Sequence, residues 1–205
     1  MKYIKLISMF VAVLAFVSCG SSSDDEDNPE PTPEVMKAAS AKAEYVVNLS
    51  QDLLSTAAVT IYYIDSNGQQ AQETATSTPW TKTVTFSTLP AKAGFSVQPL
   101  LKGNPTLEEY TIEAAGQMSV TVLDQKSGIF GSPYAGSKQE VKGLLGPDYL
   151  GQYLTRISSS LFEAKAIAAD GTITDTTITW GGNADGDDPN RDTGVSSDGA
   201  TGETR

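Results

Sequence analysis

The ten residues VTIYYIDSNG, Val59 to Gly68, decide the fold class of this chain. The first six are all β-branched or aromatic, and these residue types favour β-strands. The last four, Asp65 to Gly68, are typical of a hairpin turn, because Asn and Gly tolerate the positive φ angles that tight turns need. The polar, threonine-rich residues Gln69 to Ser77 come next and suit an edge strand or a strand with one buried face. The stretch therefore predicts a β-hairpin.

Alternation of apolar and polar residues extends this pattern along the chain in both directions. Ala43, Tyr45, Val47 and Leu49 fall on one face of an extended segment, because side chains two residues apart share a face in a strand. Pro99 indicates a strand end or an edge, since proline donates no hydrogen bond to a ladder. The predicted strands are 41–49, 59–64, 69–77, 80–86, 95–101, 109–114, 117–123, 161–169 and 172–180, with hairpin turns about Ala115-Gly116 and Asp170-Gly171.

These short strands and frequent turns predict an all-β protein with an antiparallel β-sandwich over residues 41–180. Gly128–Ser160 interrupts the strand pattern, and we expect one short helix within it. Asp148 would cap this helix, because the residues that follow it place an apolar stripe on one helical face. A capping box from Ser137 to Glu140 is the alternative start. The stripe after Asp148 is longer, so that helix is preferred.

Composition excludes several kinds of active site. The chain of 205 residues contains no histidine, so Ser-His-Asp catalytic triads, Cys-His catalytic pairs and HExxH zinc sites cannot form. Its single cysteine permits neither an intrachain disulfide nor a CxxC metal site. A formal net charge of −11 disfavours nucleic acid as a partner. The last 25 residues, 181–205, contain one valine and no aromatic residue, and we expect them to be a disordered acidic tail.

The first 18 residues have the organisation of an export signal. Two lysines within Met1–Lys5 precede an almost wholly apolar run from Leu6 to Val17. This run is much shorter than the roughly 20 residues that a membrane-spanning helix needs, so it predicts a cleaved signal peptide over residues 1–18. The four residues Phe16-Val17-Ser18-Cys19 resemble the lipobox of bacterial lipoproteins, although Phe16 stands where many lipoboxes have Leu.

The lipobox resemblance implies that the chain is cut before Cys19 and that the thiol and the new amino terminus are acylated, with palmitate among the chains added. Several acyl chains on one residue give stable membrane attachment, because each buried CH₂ group contributes about 0.8 kcal/mol. A plain secretory signal with an incidental cysteine is the alternative. Nothing in the sequence calls for a cofactor.

The residues after Cys19 resemble the export signal of lipoproteins from Bacteroidota-type Gram-negative bacteria, in which serines precede a block of acid. This resemblance implies attachment to the outer membrane, with the domain facing the cell exterior. A solvated segment without a sorting role is the alternative. Residues 19–40 are a tether in either case, because their proline-rich part is extended and semi-rigid. The residues that carry the resemblance are Ser21, Ser22, Ser23, Asp24, Asp25, Glu26 and Asp27.

Aromatic residues make carbohydrate a candidate partner of the folded part. Flat rings with a polar edge stack on sugar rings, whereas the alternative is that these residues belong to the core at strand periodicity. The candidate rings are Tyr62, Trp80, Tyr134 and Trp180, with Tyr63, Tyr149 and Tyr153 as further members. Another surface protein is the second candidate partner.

Acidic residues raise two further hypotheses. Asn183, Asp185 and Asp187 alternate like the early ligands of a calcium loop. Asp188 and Gly194 stand where that loop needs Gly and Glu, so a solvated acidic tail explains the same residues. Glycoside hydrolysis needs only two carboxyl groups across a cleft, but the sequence gives no pairing. The carboxyl groups in question belong to Glu108, Glu109, Asp124, Glu140, Asp148 and Glu163.

Taken together, these patterns predict a lipid-anchored cell-surface protein that is not an enzyme and acts as a binding or structural module. A glycan-binding accessory lipoprotein is the second hypothesis, and a carboxylate-dependent glycoside hydrolase is the third. The strand pattern is similar to that of the immunoglobulin-like or transthyretin-like sandwiches of many surface lipoproteins. The Cys…Trp…Cys pattern of true immunoglobulin domains is missing.

Overall fold

Two antiparallel β-sheets pack face to face in the computed structural model of this protein, which describes residues 35–181. This architecture confirms the all-β sandwich predicted from the sequence. A 3₁₀ turn over Pro147–Tyr149 precedes the longer helix. The elements of the described residues are β1 (Ala38–Leu49), α1 (Gln51–Thr56), β2 (Ala57–Ile64), β3 (Gln70–Ala75), β4 (Trp80–Phe86), β5 (Ala91–Leu101), β6 (Tyr110–Asp124), β7 (Tyr134–Ala135), β8 (Gln139–Leu145), α2 (Leu150–Ser160), β9 (Phe162–Ile167) and β10 (Ile173–Asp175).

Each sheet is built from strands that are mostly distant in sequence. Sheet A has the order β4-β1-β6, and both β7 and β8 pair with the far side of β6. Sheet B has the order β10-β9-β5-β2-β3. The long strand β1 is therefore hydrogen-bonded on both sides, to β4 and to β6. The polar strand β3 lies at an edge of sheet B, as its composition predicted.

The core lies between the sheets and is made by alternate side chains of each strand. Ala43, Tyr45, Val47 and Leu49 of β1 are all buried, as the alternation predicted. The ring of Tyr45 meets the ring of Phe95 on β5, with 6.2 Å between the ring centroids. Burial of large apolar side chains contributes about 1.5–3 kcal/mol each, so these contacts hold the sheets together.

The hairpin predicted about Ala115-Gly116 is wrong, because both residues lie inside the 15-residue strand β6. They pair with Asn48 and Val47 of β1 and do not turn the chain. Gly116 is required for space, since a Cβ at this position would lie 2.6 Å from Cε2 of Phe95. The ring of Phe95 fills the volume that a side chain of residue 116 would need.

The insertion predicted over Gly128–Ser160 contributes two strands as well as a helix. β7 and β8 both lie within it and extend sheet A. Glu140 therefore belongs to a strand, and the alternative helix start from Ser137 to Glu140 is wrong. Val141 and Leu145 of β8 are buried. The free energy gained by burying these side chains in a strand therefore exceeds what a local helix cap would contribute.

The preferred helix is confirmed as α2, and its apolar stripe faces the core through Leu150, Leu154 and Ile157. The expected cap is wrong, however. Asp148 lies within the 3₁₀ turn that Pro147 opens, and neither that turn nor α2 has a side-chain cap. The helix is therefore stabilised by burial of its apolar stripe and not by a capping hydrogen bond.

Three further details differ from the sequence predictions. β1 begins at Ala38, inside the segment assigned to the tether, and a register shift between Ala38 and Ser40 hides the alternation there. The sequence patterns do not predict α1, which Ser50 caps by accepting a hydrogen bond from the N–H of Leu53. The same Ser50 hydroxyl oxygen accepts from the N–H of Glu113 on β6. β10 ends at residue 175, five residues before the predicted end of its strand.

Candidate functional site

Residues 176–181, here called the strap, follow β10 and cross the outer face of sheet B, the face turned away from sheet A. The first N–H of the strap donates to the carbonyl oxygen of Ala164 on β9 at 3.3 Å. At the opposite edge, the side-chain amide of Gln70 on β3 donates to the carbonyl oxygen of Thr179 at 2.9 Å. The same amide accepts from the N–H of Gly181 at 3.0 Å. Polar contacts on β9 and β3 therefore hold the strap across the sheet.

Trp180 of the strap lies over Gly94 of β5. A Cβ at Gly94 would come 3.1 Å from Cζ2 of Trp180, so the missing side chain leaves room for the indole ring. Ile178 and Trp180 are half-buried and pack against the core of the sandwich. The Nε1 group of Trp180 is buried and has no hydrogen-bond partner among the described residues.

A shallow cleft of about 380 Å³ opens on this outer face between the strap and α2. Ser96 of β5 and Phe162 of β9 are paired across the sheet, so their side chains both point outward into it. Ser96 is 2% exposed, whereas Phe162 is 48% exposed and offers its ring to solvent. None of the residues lining the cleft is charged; they are Ser96, Gln98, Thr155, Ser158, Ser159, Phe162, Ile178 and Trp180.

The α2 side of the cleft is a surface of hydrogen-bond acceptors. The hydroxyl groups of Thr155, Ser158 and Ser159 donate to carbonyl oxygens of their own helix, at 3.0, 3.2 and 3.2 Å. A hydroxyl group that donates its hydrogen in this way keeps two oxygen lone pairs that can accept. Three acceptors and the half-exposed ring of Phe162 therefore line the same cleft.

Two of the four predicted rings lie on this face. Trp180 lines the cleft, and Tyr62 of β2 is paired with Ser96, so its ring shares the outer face. Sequence reasoning missed Phe162, although it predicted the strand that contains it. The missing information is the strand order, because only the pairing of β9 with β5 places Phe162 beside Ser96.

Trp80 belongs to the core, so its interpretation as a ligand-binding ring is wrong. The residue is 9% exposed, and its Nε1 donates to a carboxylate oxygen of Glu73 at 3.1 Å. Tyr63 and Lys82 donate to the other oxygen of Glu73, at 3.0 and 2.5 Å. The hydrogen bond from Lys82 lowers the pKa of Glu73. These four residues, here called the β3–β4 latch, join the edge strands of the two sheets.

Tyr134 does not line the cleft. It joins β7 of sheet A to β9 of sheet B, on the side of the sandwich opposite the β3–β4 latch. Its hydroxyl group donates to Glu163 of β9, and the ammonium of Lys165 lies 4.2 Å from the centroid of its ring. Lys165 also forms an ion pair with Asp175. Burial raises the pKa of Tyr134, and the hydrogen bond to Glu163 raises it further. Tyr134, Glu163 and Lys165 are here called the β7–β9 latch.

The six carboxyl groups considered for hydrolysis do not line the cleft. Glu163 belongs to the β7–β9 latch, and Asp124 accepts backbone hydrogen bonds in the turn after β6. Glu140 forms ion pairs with Lys138 and Lys142 beside a separate cavity of about 120 Å³. The remaining three, Glu108, Glu109 and Asp148, are exposed.

Several predicted sites lie outside the described residues, namely Cys19, Ser21, Ser22, Ser23, Asp24, Asp25, Glu26, Asp27, Asn183, Asp185 and Asp187. Between residues 35 and 181, no three Asp, Glu or Cys side chains are grouped so that they could hold a metal ion. No helix in that range has the length and apolar character needed to cross a membrane. No family model matches this chain, and no curated protein matches it significantly.

Proposed function

We propose that this protein is a lipid-anchored, cell-surface binding module without catalytic activity, and that its ligand occupies the cleft between the strap and α2. The cleft itself is the observation that carries the proposal. It combines an accessible ring, Phe162, with a row of hydroxyl groups, whereas a purely structural module has no need of such a surface. The predicted signal peptide and the lipobox-like residues that end at Cys19 support attachment to the outer membrane.

The lining of the cleft supports binding over hydrolysis. Two-carboxylate glycosidases need acidic groups about 5–9.5 Å apart across the substrate. The eight residues that line the cleft include neither Asp nor Glu. A two-carboxylate glycosidase would therefore have neither its acid nor its carboxylate nucleophile in this cleft.

The attachment is tested in cells of the source organism that express the full chain. Metabolic labelling with an alkyne analogue of palmitate should tag the wild-type protein, and external protease should cleave it on intact cells. Cys19→Ala should abolish the label and release the protein from the membrane fraction. An unmodified Cys19, or an intact Met1 in the mass spectrum of the purified protein, contradicts the anchor.

The location of the site is tested with residues 35–181 produced on their own, here called the soluble domain, and a library of small fragments. Ligand-observed NMR detects which fragments bind. We expect a group of fragments to bind the wild type and to be lost in Ser158→Trp, which fills the cleft. Gln152→Trp is the matched control, because Gln152 is exposed on the same helix and does not line the cleft. Fragments that bind both variants equally contradict this site.

A further inference from the structure

The geometry points to an uncharged saccharide as the ligand of the cleft, an inference that rests on the binding function proposed above. The first argument is charge. None of the eight lining residues is Asp, Glu, Lys or Arg. A phosphate, carboxylate or ammonium group would lose its hydration there without gaining a counter-ion, and burial of an unpaired charge is costly. The cleft therefore favours a neutral ligand.

The second argument is the direction of the hydrogen bonds. The hydroxyl groups of Thr155, Ser158 and Ser159 already donate to the helix backbone, so they turn lone pairs toward the ligand. A ligand on this side must bring O–H or N–H donors. A saccharide supplies many hydroxyl donors without any charge, whereas sulfate or carboxylate oxygens would meet acceptors with acceptors. The α2 side thus selects a polyhydroxyl compound.

The third argument is the aromatic ring that shares the lining with these acceptors. Phe162 is 48% exposed, and Trp180 forms the neighbouring part of the lining. The C–H face of a sugar ring is apolar, while its rim carries the hydroxyl groups. A sugar can therefore stack its C–H face on the Phe162 ring while its hydroxyl groups bond to the acceptors of α2.

The floor of the cleft argues against an extended peptide. Peptides commonly bind β-proteins by adding a strand to a free sheet edge. Ser96 lies inside sheet B and pairs with Tyr62 on one side and with Phe162 on the other. Its backbone groups are thus engaged in the ladder, so a peptide crossing this face gains no main-chain pairing.

The test is a titration of the isotope-labelled soluble domain, followed by NMR, with neutral gluco-, manno-, xylo- and galacto-oligosaccharides. At least one neutral saccharide should shift the resonances of Phe162, Ser158 and the Trp180 indole N–H, with a dissociation constant in the range of about 1–10 mM. Oligogalacturonate, a sulfated oligosaccharide and an uncharged peptide are the comparison probes, and each should bind at least about tenfold more weakly.

Two variants separate stacking from general damage. Phe162→Ala should weaken saccharide binding by about tenfold, because the stacking ring is lost. Ser158→Ala, which removes an acceptor at nearly constant volume, should weaken it by about fivefold. Tyr149→Ala is the matched control, since Tyr149 is an exposed ring outside the cleft, and its binding should equal that of the wild type.

The outcomes distinguish the ligand class from the binding function. If a charged saccharide or the peptide shifts the cleft resonances and no neutral saccharide does, the saccharide inference is overturned and the binding module stands. Neutral saccharide binding that Phe162→Ala leaves unchanged also overturns it, because the sugar then binds elsewhere. If no fragment and no probe perturbs the cleft, both proposals fall.

Discussion

Gly116 shows how one missing side chain fixes the packing of two sheets. The ring of Phe95, which comes from sheet B, occupies the space above Gly116 of sheet A. Phe95 and Tyr45 are both fully buried, and their rings contact each other with 6.2 Å between the centroids. Well-packed protein interiors tolerate added methyl groups poorly.

Replacing Gly116 with Ala should therefore destabilise the protein by about 1–3 kcal/mol, because the added Cβ would meet Phe95 at 2.6 Å. Urea denaturation followed by circular dichroism measures the change. Gly151→Ala is the matched control, since a Cβ at this helical position meets nothing within 4 Å. The control should be neutral or slightly stabilising, and equal effects of the two substitutions would contradict the packing argument.

Glu73 is the residue whose charge matters most at the β3–β4 latch. Three donors converge on its carboxylate, and the hydrogen bond from Lys82 holds its pKa below the ordinary value of 4.5. A carboxyl group with a lowered pKa in the folded state stabilises the fold at every pH above its unfolded pKa. That contribution is lost as the pH falls through the folded pKa.

We therefore expect Glu73→Gln to lower the free energy of unfolding by about 1 kcal/mol at neutral pH, a modest value because solvent screens a side chain that is 38% exposed. The gap between the wild type and this variant should shrink as the pH falls below 4.5. Denaturation curves collected across this range measure the gap. Glu44→Gln, at an exposed ion pair with Lys42, is the control and should have little effect. A pH-independent gap for Glu73→Gln would be inconsistent with the latch.

Among the elements, the strap is joined to β3 by a single side chain at its far end. The amide of Gln70 makes both of the hydrogen bonds that join the strap to β3. Gln72, two residues along the same strand, is exposed and lies on the same outer face. The two glutamines thus form a matched pair for testing how the strap is held.

Gln70→Ala should speed hydrogen exchange of the Gly181 amide by about tenfold, because its acceptor is removed. Gln72→Ala should leave that exchange rate unchanged. Hydrogen exchange read by NMR reports both results on the folded protein. A rate that does not respond to the loss of Gln70 would show that apolar contacts of Ile178 and Trp180 hold the strap without help.

Two glycine-containing dipeptides show how far the sequence could predict these elements. Asp170-Gly171 is a turn, as predicted: Gly171 has a φ of 85°, and the Asp170 side chain accepts from the N–H of Thr172. Ala115 offers no side-chain acceptor of this kind, and Gly116 continues the strand beneath Phe95. Local turn chemistry is visible in a sequence, whereas contact with a ring 21 positions away is not.

The candidate site was less predictable than the fold. Alternation identified the buried face of β1, but it could not tell which outward residues of the sheets would share one surface. Phe162 and Ser96 are neighbours only because β9 pairs with β5, and Trp180 reaches them through the strap. The cleft is formed by the order of the strands and by the strap. Neither leaves a periodic pattern in the sequence.

At the scale of the whole molecule, the two latches close opposite sides of the sandwich. Glu73 lies on β3 and Glu163 on β9, with β2 and β5 between them in sheet B. Three strand spacings, about 14 Å in all, separate the strands that carry the two carboxylates. Each faces the core side of its strand and meets a residue of sheet A, Lys82 or Tyr134.

Because of this separation, the double variant Glu73→Gln with Glu163→Gln should be destabilised by the sum of the two single effects, within about 0.5 kcal/mol. Thermal and urea denaturation of the four proteins complete the double-mutant cycle. A coupling well above that limit would mean that the two sides of the sandwich open together, against the independent closures described above.

The central position of β1 has a mechanical consequence. Force applied to the chain before Ala38 enters the fold along the axis of a strand that is bonded to β4 on one side and to β6 on the other. Those bonds lie perpendicular to the strand, so a pull along it loads them in shear and they must break together. Single-molecule stretching should register a high rupture force at this end, whereas gradual peeling at low force would refute it. Drag on the domain would therefore be resisted by a strand in the middle of sheet A and not by an edge strand.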